Sequence, residues 1–140
     1  MIDAKCYLRQ VGKLDAQIRN KLIEREQWQD IALGITANVG GEKVQASGNQ
    51  QKMASAIEKC VDMEQEINSL VDELIDIKRK VIATIEKLES PTEYDILHKR
   101  YIQHLTLQEI AEEKGRDYTT ITTCHGRALK NVQMLLDKEK

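Results

Sequence analysis

The chain has no phenylalanine, one tryptophan and four tyrosines among its 140 residues. So few rings cannot fill a wide globular core, and leucine, isoleucine and valine carried on long helices are the cheaper alternative. Proline occurs once, at Pro91, so nothing interrupts a helix elsewhere. Neither sign of charge dominates: 21 Lys plus Arg stand against 23 Asp plus Glu, a formal net charge of −2 that excludes a generally basic nucleic-acid coat. No apolar run approaches the roughly 20 residues that span a bilayer, and no membrane partner is expected. The opening MIDAKCYLRQ lacks the apolar core of a secretion signal, which makes the cytoplasm the expected location. Cys6, Cys60 and Cys124 form no CxxC or Cys/His pattern and read as reduced packing residues.

Catalytic signatures are also lacking. There is no P-loop, nucleophile elbow or Gly-rich phosphate cradle. Glu112 and Glu113 have no histidine or second carboxylate at a fixed spacing for acid–base work. His98, His104 and His125 are scattered, and the adjacent Cys124 and His125 point to different faces of a helix. We expect no enzyme, no cofactor and no metal site.

What is present is helical periodicity. Between about residues 3 and 33, apolar positions recur at Ala4, Tyr7, Leu8, Val11, Leu14, Ile18, Leu22 and Ile31. Between 51 and 89, Met53, Ala56, Cys60, Met63, Ile67, Leu70, Leu74, Ile77, Val81, Thr84 and Leu88 alternate steps of three and four without a break, the pattern of a coiled-coil seam. Residues 34–50 hold four of the seven glycines and read as a loop, with EKVQAS able to form a short extended piece. The simplest arrangement of residues 1–89 is a long antiparallel hairpin. Ile75, Val61 and Ile82 broaden the second helix's apolar face, which favours pairing with another copy of the chain.

Ser90-Pro91-Thr92-Glu93 ends that helix and opens another, with Ser90 as cap and Glu93 completing a capping box. Residues 90–140 are therefore read as a second domain of three helical segments. The first spans about Thr92 to Gln103 and buries Tyr94, Leu97 and Tyr101. A second capping box, Thr106 with Glu109, opens a short helix stapled by Leu105 and Ile110 and stopped by Gly115. Asp117 caps the third, Tyr118 to about Asp137, with Ile121, Cys124, Ala128, Val132 and Leu135 inward. Short helix, glycine turn, second helix is a helix-turn-helix pattern, so the expected fold is all-α.

Its second helix is the one that enters a DNA major groove. Residues 114–130 hold Lys114, Arg116, Arg127 and Lys130 against Asp117 alone, a local balance of +3. Tyr118, Thr119, Thr122, Thr123, Gly126, Arg127 and Lys130 face away from the expected core. Threonine hydroxyls can meet base edges or phosphates and their methyls can meet thymine. Arg116, Arg127 and Lys130 suit phosphates, and Gln108 with the free amides of the short helix suits another. Gly126 in mid-helix points to close approach by another helix or by DNA. No Arg, Asn or Gln stands at the helix start for bidentate base contacts, so weak and steeply salt-dependent affinity is expected unless several copies act together.

The segment LHKRYIQHLTLQEIAEEKGRDYTTITTCHGRAL resembles region four of bacterial sigma factors. The resemblance rests on Leu97 with Arg100-Tyr101-Ile102, on Thr106 with Glu109-Ile110-Ala111, on Gly115, and on Arg127-Ala128-Leu129. With the preceding GEKVQASGNQQKMASAIEKCVDMEQEI, nearly the whole chain is similar to a family of small phage and prophage proteins with a sigma-like C-terminus, and more loosely to ArpU-type late transcription regulators. The resemblance implies a DNA-binding transcription regulator in a host bacterial cell, touching the promoter −35 element and the RNA polymerase flap. Sigma region two has no counterpart here. The expected partners are double-stranded DNA, RNA polymerase and further copies of the chain. The rival expectations are a small terminase-like packaging subunit and a protein-only polymerase-binding module.

Overall fold

The computed structural model describes residues 2–39 and 46–139. Among them every regular element is helical: α1 (Ala4–Val39), α2 (Ala46–Ile85), α3 (Pro91–Leu97), a π-helical turn (His98–Ile102), α4 (Leu107–Lys114) and α5 (Tyr118–Lys138). None of these helices is long and apolar enough to cross a membrane.

The two long helices run further toward each other than composition implies. Gly34 lies inside α1 and Gly48 inside α2, so the expected 34–50 loop is corrected at both ends. A mid-helix glycine costs about 1 kcal/mol, less than an already nucleated helix gains by continuing for several residues. Of the segment EKVQAS, Ala46 and Ser47 belong to α2, and residues 42–45 lie outside the described residues. At its other end α2 stops at Ile85, short of the expected 89. The exit tightens to three-residue steps there, with the Lys87 amide bonded to the Thr84 carbonyl and Leu88 to Ile85, each at 3.1 Å.

Packing divides the chain into two compact units, Met1–Leu14 with Leu74–Lys140, and Asp15–Glu73. Ser90 is thus a helix boundary, while the packing boundaries fall within the long helices. In the first unit, Ala4, Leu8 and Val11 of α1 and Val81 and Ile85 of α2 share one core with Leu97, Tyr101, Ala128 and Val132. A smaller core of Ile96, Ile110, Ala111 and Ile121 sits under α4.

In the second unit α1 and α2 form an antiparallel pair. Ile18, Ala56, Met63 and Ile67 are buried. Leu22 and Ile31, expected on the inner face, are 44% and 47% exposed. A strict three-four alternation from Ile18 runs instead through Lys21, Arg25, Trp28 and Ala32, all half-buried. Paired helices follow the 3.5-residue repeat, so charged residues occupy the seam and extend their heads outward over apolar stems. Lys21 reaches Glu66 at 2.8 Å and Arg25 reaches Glu64 at 2.7 Å.

The punctuation after α2 explains the short helices. Ser90 caps α3 by accepting from the Glu93 amide at 3.3 Å, with Pro91 in the first turn. The reciprocal half of that expected box is not made. Glu93 is buried and accepts instead from the Asn131 side chain at 2.6 Å. The expected helix 92–103 changes pitch at His98, where the π turn brings both Tyr101 and Ile102 inward. Thr106 and Glu109 complete their box in both directions, at 3.1 and 3.0 Å. Gly115 turns left-handed (φ 65°, ψ 35°), and the Arg116 amide reaches back to the Ala111 carbonyl at 2.9 Å. That is the closure of a Schellman motif, which only a residue without Cβ adopts cheaply. Asp117 has the extended backbone of an N-cap but makes no side-chain cap bond, a correction to the expected cap.

Replacing the fully buried Ile110 with Ala should cost about 2–5 kcal/mol through lost transfer energy and a residual cavity. Leu22→Ala, at an exposed site, should stay within about 0.5 kcal/mol. Urea unfolding monitored by helix signal measures both, and equal effects would contradict the packing described.

Candidate nucleic-acid interface

α5 presents its outer side as a consequence of what its inner side buries. Ile121, Ala128 and Val132 are covered, Cys124 packs on the core beneath α4, and Leu129 and Leu136 pack on the larger core. At 100° per residue the opposite arc then holds Thr119, Thr123, Arg127 and Lys130, all exposed. From Tyr118 to Leu136 α5 contains no Asp or Glu; its one carboxylate, Asp137, lies two turns beyond Lys130 on the same side and accepts from Gln133 at 3.1 Å.

The other expected site residues fall differently. Tyr118 is 50% exposed and Thr122 half-buried, and they lie one turn apart on a row beside the arc rather than on it. Gln108 is exposed in the first turn of α4 and donates to Glu112 at 3.4 Å. Arg116 is exposed in the turn, its amide committed to the Schellman closure. Lys114, counted among the local cations, pairs with Asp95 at 2.5 Å, so its charge is balanced within the fold. Gly126 has open space where a Cβ would stand, so within the described chain no other helix approaches it.

The threonines have less donor capacity than their number implies. The hydroxyls of Thr122 and Thr123 both donate to the Thr119 carbonyl at 2.9 Å. In this arrangement they offer methyl groups and acceptor lone pairs outward, which suits thymine methyls and exocyclic amines better than phosphates. The exposed cations able to donate to a phosphate here are Arg127, Lys130 and Arg116.

One polar pair beneath α5 is not visible from spacing. The Tyr101 hydroxyl lies 2.8 Å from Nε2 of His125, with the rings stacked 5.7 Å apart. Burial, then the Arg100 and Lys5 charges, hold His125 below its ordinary value of 6.5. Burial raises Tyr101, so its hydroxyl stays protonated and shares one hydrogen bond with the imidazole. The pair links the π turn to the middle of α5. Twenty-four residues separate the partners, and neither shows a helical spacing that would have announced the other.

Because the folded pKa of His125 lies below the unfolded one, neutrality at this site favours the native state above about pH 6.5, and that contribution is lost as pH falls through the folded value. The thermal midpoint of the parent should therefore fall more steeply than that of His125→Gln between about pH 7 and pH 5. Parallel profiles in a calorimetric pH series would refute a buried neutral imidazole. Compared with known proteins, the chain matches no family model, no curated protein and no solved structure.

Proposed function

We propose that the protein is a DNA-binding transcription regulator of the phage type, with a helix-turn-helix resembling sigma region four and a coiled-coil arm that pairs copies of the chain. The observation that carries this reading is the carboxylate-free arc Thr119, Thr123, Arg127 and Lys130 on the outer side of α5. Its support is the seating of α5 against α4, through the left-handed Gly115 turn between them and the shared core of Ile110, Ala111 and Ile121. An arc this modest in charge contributes few phosphate contacts, so a single copy binds weakly and two copies bind usefully.

The arm supports pairing through an apolar strip on the second unit. Leu33, Ile57 and Val61 are 68%, 49% and 48% exposed. A groove of about 440 Å³ beside them is lined by Ala32, Leu33, Met53, Ile57, Cys60 and Val61. A second copy of the same strip is the occupant we favour, since closed two-fold pairing is the commonest assembly and presents two recognition helices. Ile57→Glu with Val61→Glu should shift the mass measured by light scattering from dimer to monomer. A parent of eight or more chains would support the packaging rival instead.

Arg127→Ala with Lys130→Ala should weaken duplex binding and reduce the slope of log affinity against log salt by about two. Thr119→Ala and Thr123→Ala should alter the motif recovered from a random DNA pool while leaving that slope in place. A double Arg/Lys variant that binds as well as the parent would remove the arc from the interface.

A further inference from the structure

A second set of cations belongs to the first unit but comes from the other end of the chain. Lys5, Arg9 and Lys13 stand at four-residue steps on α1, and all three are exposed. Like charges at this spacing repel and destabilise their helix, and neither Arg9 nor Lys13 makes an ion pair among the described residues. Arg9 and Lys13 open onto a hollow of about 440 Å³ that they share with Gly12, Arg100, Tyr101 and His104, and no carboxylate lines it.

The hollow is organised by the chain around it. Arg100 lies 5.8 Å from the Tyr101 ring centre and donates to the Leu105 carbonyl at 3.1 Å, which fixes its planar head and leaves further donors available. His104 takes a left-handed backbone (φ 62°), unusual for a residue with a Cβ. Its ring sits 3.8 Å from where a Cβ on residue 12 would be, so Gly12 forms a floor without a side chain. Lys5 and Arg100 both act on His125 of α5, and Arg100 and Arg9 act on Tyr101 against the opposing charge of Asp3. The first turn of α1 is tied to α5 one turn beyond Lys130. The Ala4 amide donates to the Gln133 side chain at 2.8 Å, and Gln133 donates to the Ile2 carbonyl at 3.0 Å.

We infer that Lys5, Arg9, Lys13 and Arg100 form a clamp for the phosphodiester backbone of duplex DNA, in the same packing unit as α5. The inference rests on the reading of α5 as a DNA-binding helix and adds contacts that the helix-turn-helix lacks. The row tracks successive phosphates, with no reading of bases.

The test uses the full chain and a duplex of random sequence titrated across a salt series. Arg9→Ala with Lys13→Ala should lower the salt slope by about two, and adding Arg127→Ala with Lys130→Ala should lower it by about four, with affinity lost evenly across sequences. Arg9→Lys with Lys13→Arg should restore the parental slope. Circular dichroism checks the fold, and Arg9→Gln with Lys13→Gln replaces the alanine pair if helix content drops. A parental slope in the Arg9/Lys13 variant, alongside a reduced one in the Arg127/Lys130 variant, overturns the clamp and leaves α5 as the interface. A parent that binds no duplex at low salt overturns both readings. Inorganic phosphate is the second arm. If it raises the parent's thermal midpoint but not the variant's, and the DNA slopes are equal, the hollow takes a free anion and the clamp is refuted.

Discussion

The protein depends on one shared core. Leu8 and Val11 near the start of the chain, Val81 and Ile85 at the end of α2, and Ala128 and Val132 near the C-terminus are each at most 1% exposed, and all belong to one cluster. Burial of a Leu, Ile or Val side chain contributes about 1.5–3 kcal/mol, so this meeting of three distant segments outweighs any surface contact in the first unit. It also orients α5. A helix-turn-helix of three short segments would hold its second helix by the few residues under α4. Here the ends of both long helices grip the other flank of α5 as well, and the outer arc is what remains uncovered.

Polar groups at the margin of that core make its arrangement specific. Thr84 is the single polar residue among the eleven seam positions from Met53 to Leu88, and it is buried. Its hydroxyl lies 2.9 Å from the Tyr7 hydroxyl and donates to the Lys80 carbonyl at the same distance. Glu93 gives up the reciprocal half of a capping box to accept from Asn131. Tyr101 meets His125 where the π turn faces α5. Each contact joins two segments, and each would leave a buried polar atom unpaired if those segments slid past one another, a penalty of about 1–3 kcal/mol. Hydrophobic burial brings the segments together; these contacts select the register.

On the proposed reading, an interface of threonines and two cations would draw its affinity mainly from phosphates, so extra cations on a neighbouring helix and a second copy of the chain would both add to it without demanding more of the bases. The ion pairs of Lys114 with Asp95 and of Lys99 with Glu113 remove two cations from that purpose and assign them to the fold. Arg9 and Lys13 on α1 and Arg127 and Lys130 on α5, which make no ion pair among the described residues, are those that local charge counting separates most widely. A local count sees only residues near in sequence, whereas a polyanion meets whatever the tertiary structure places on one side.

By itself the sequence determined the helical elements and some of their ends: the seam of α2, the Thr106 box, the glycine exit and the inner face of α5. All of these depend on residues within a turn or two of each other, where periodicity and capping chemistry act. The outward phase of Thr119, Thr123, Arg127 and Lys130 on α5 was readable for the same reason, whereas Thr122 proved half-buried and Tyr118 lies beside that row. Tertiary structure alone decided the rest. It drew the packing boundaries inside α1 and α2, put Lys21 and Arg25 on the seam in place of Leu22, turned Glu93 toward Asn131, and brought Arg100 beside Arg9 and Lys13. Such outcomes follow from which distant apolar faces are buried together and which polar groups must then find partners, and no local pattern encodes that choice.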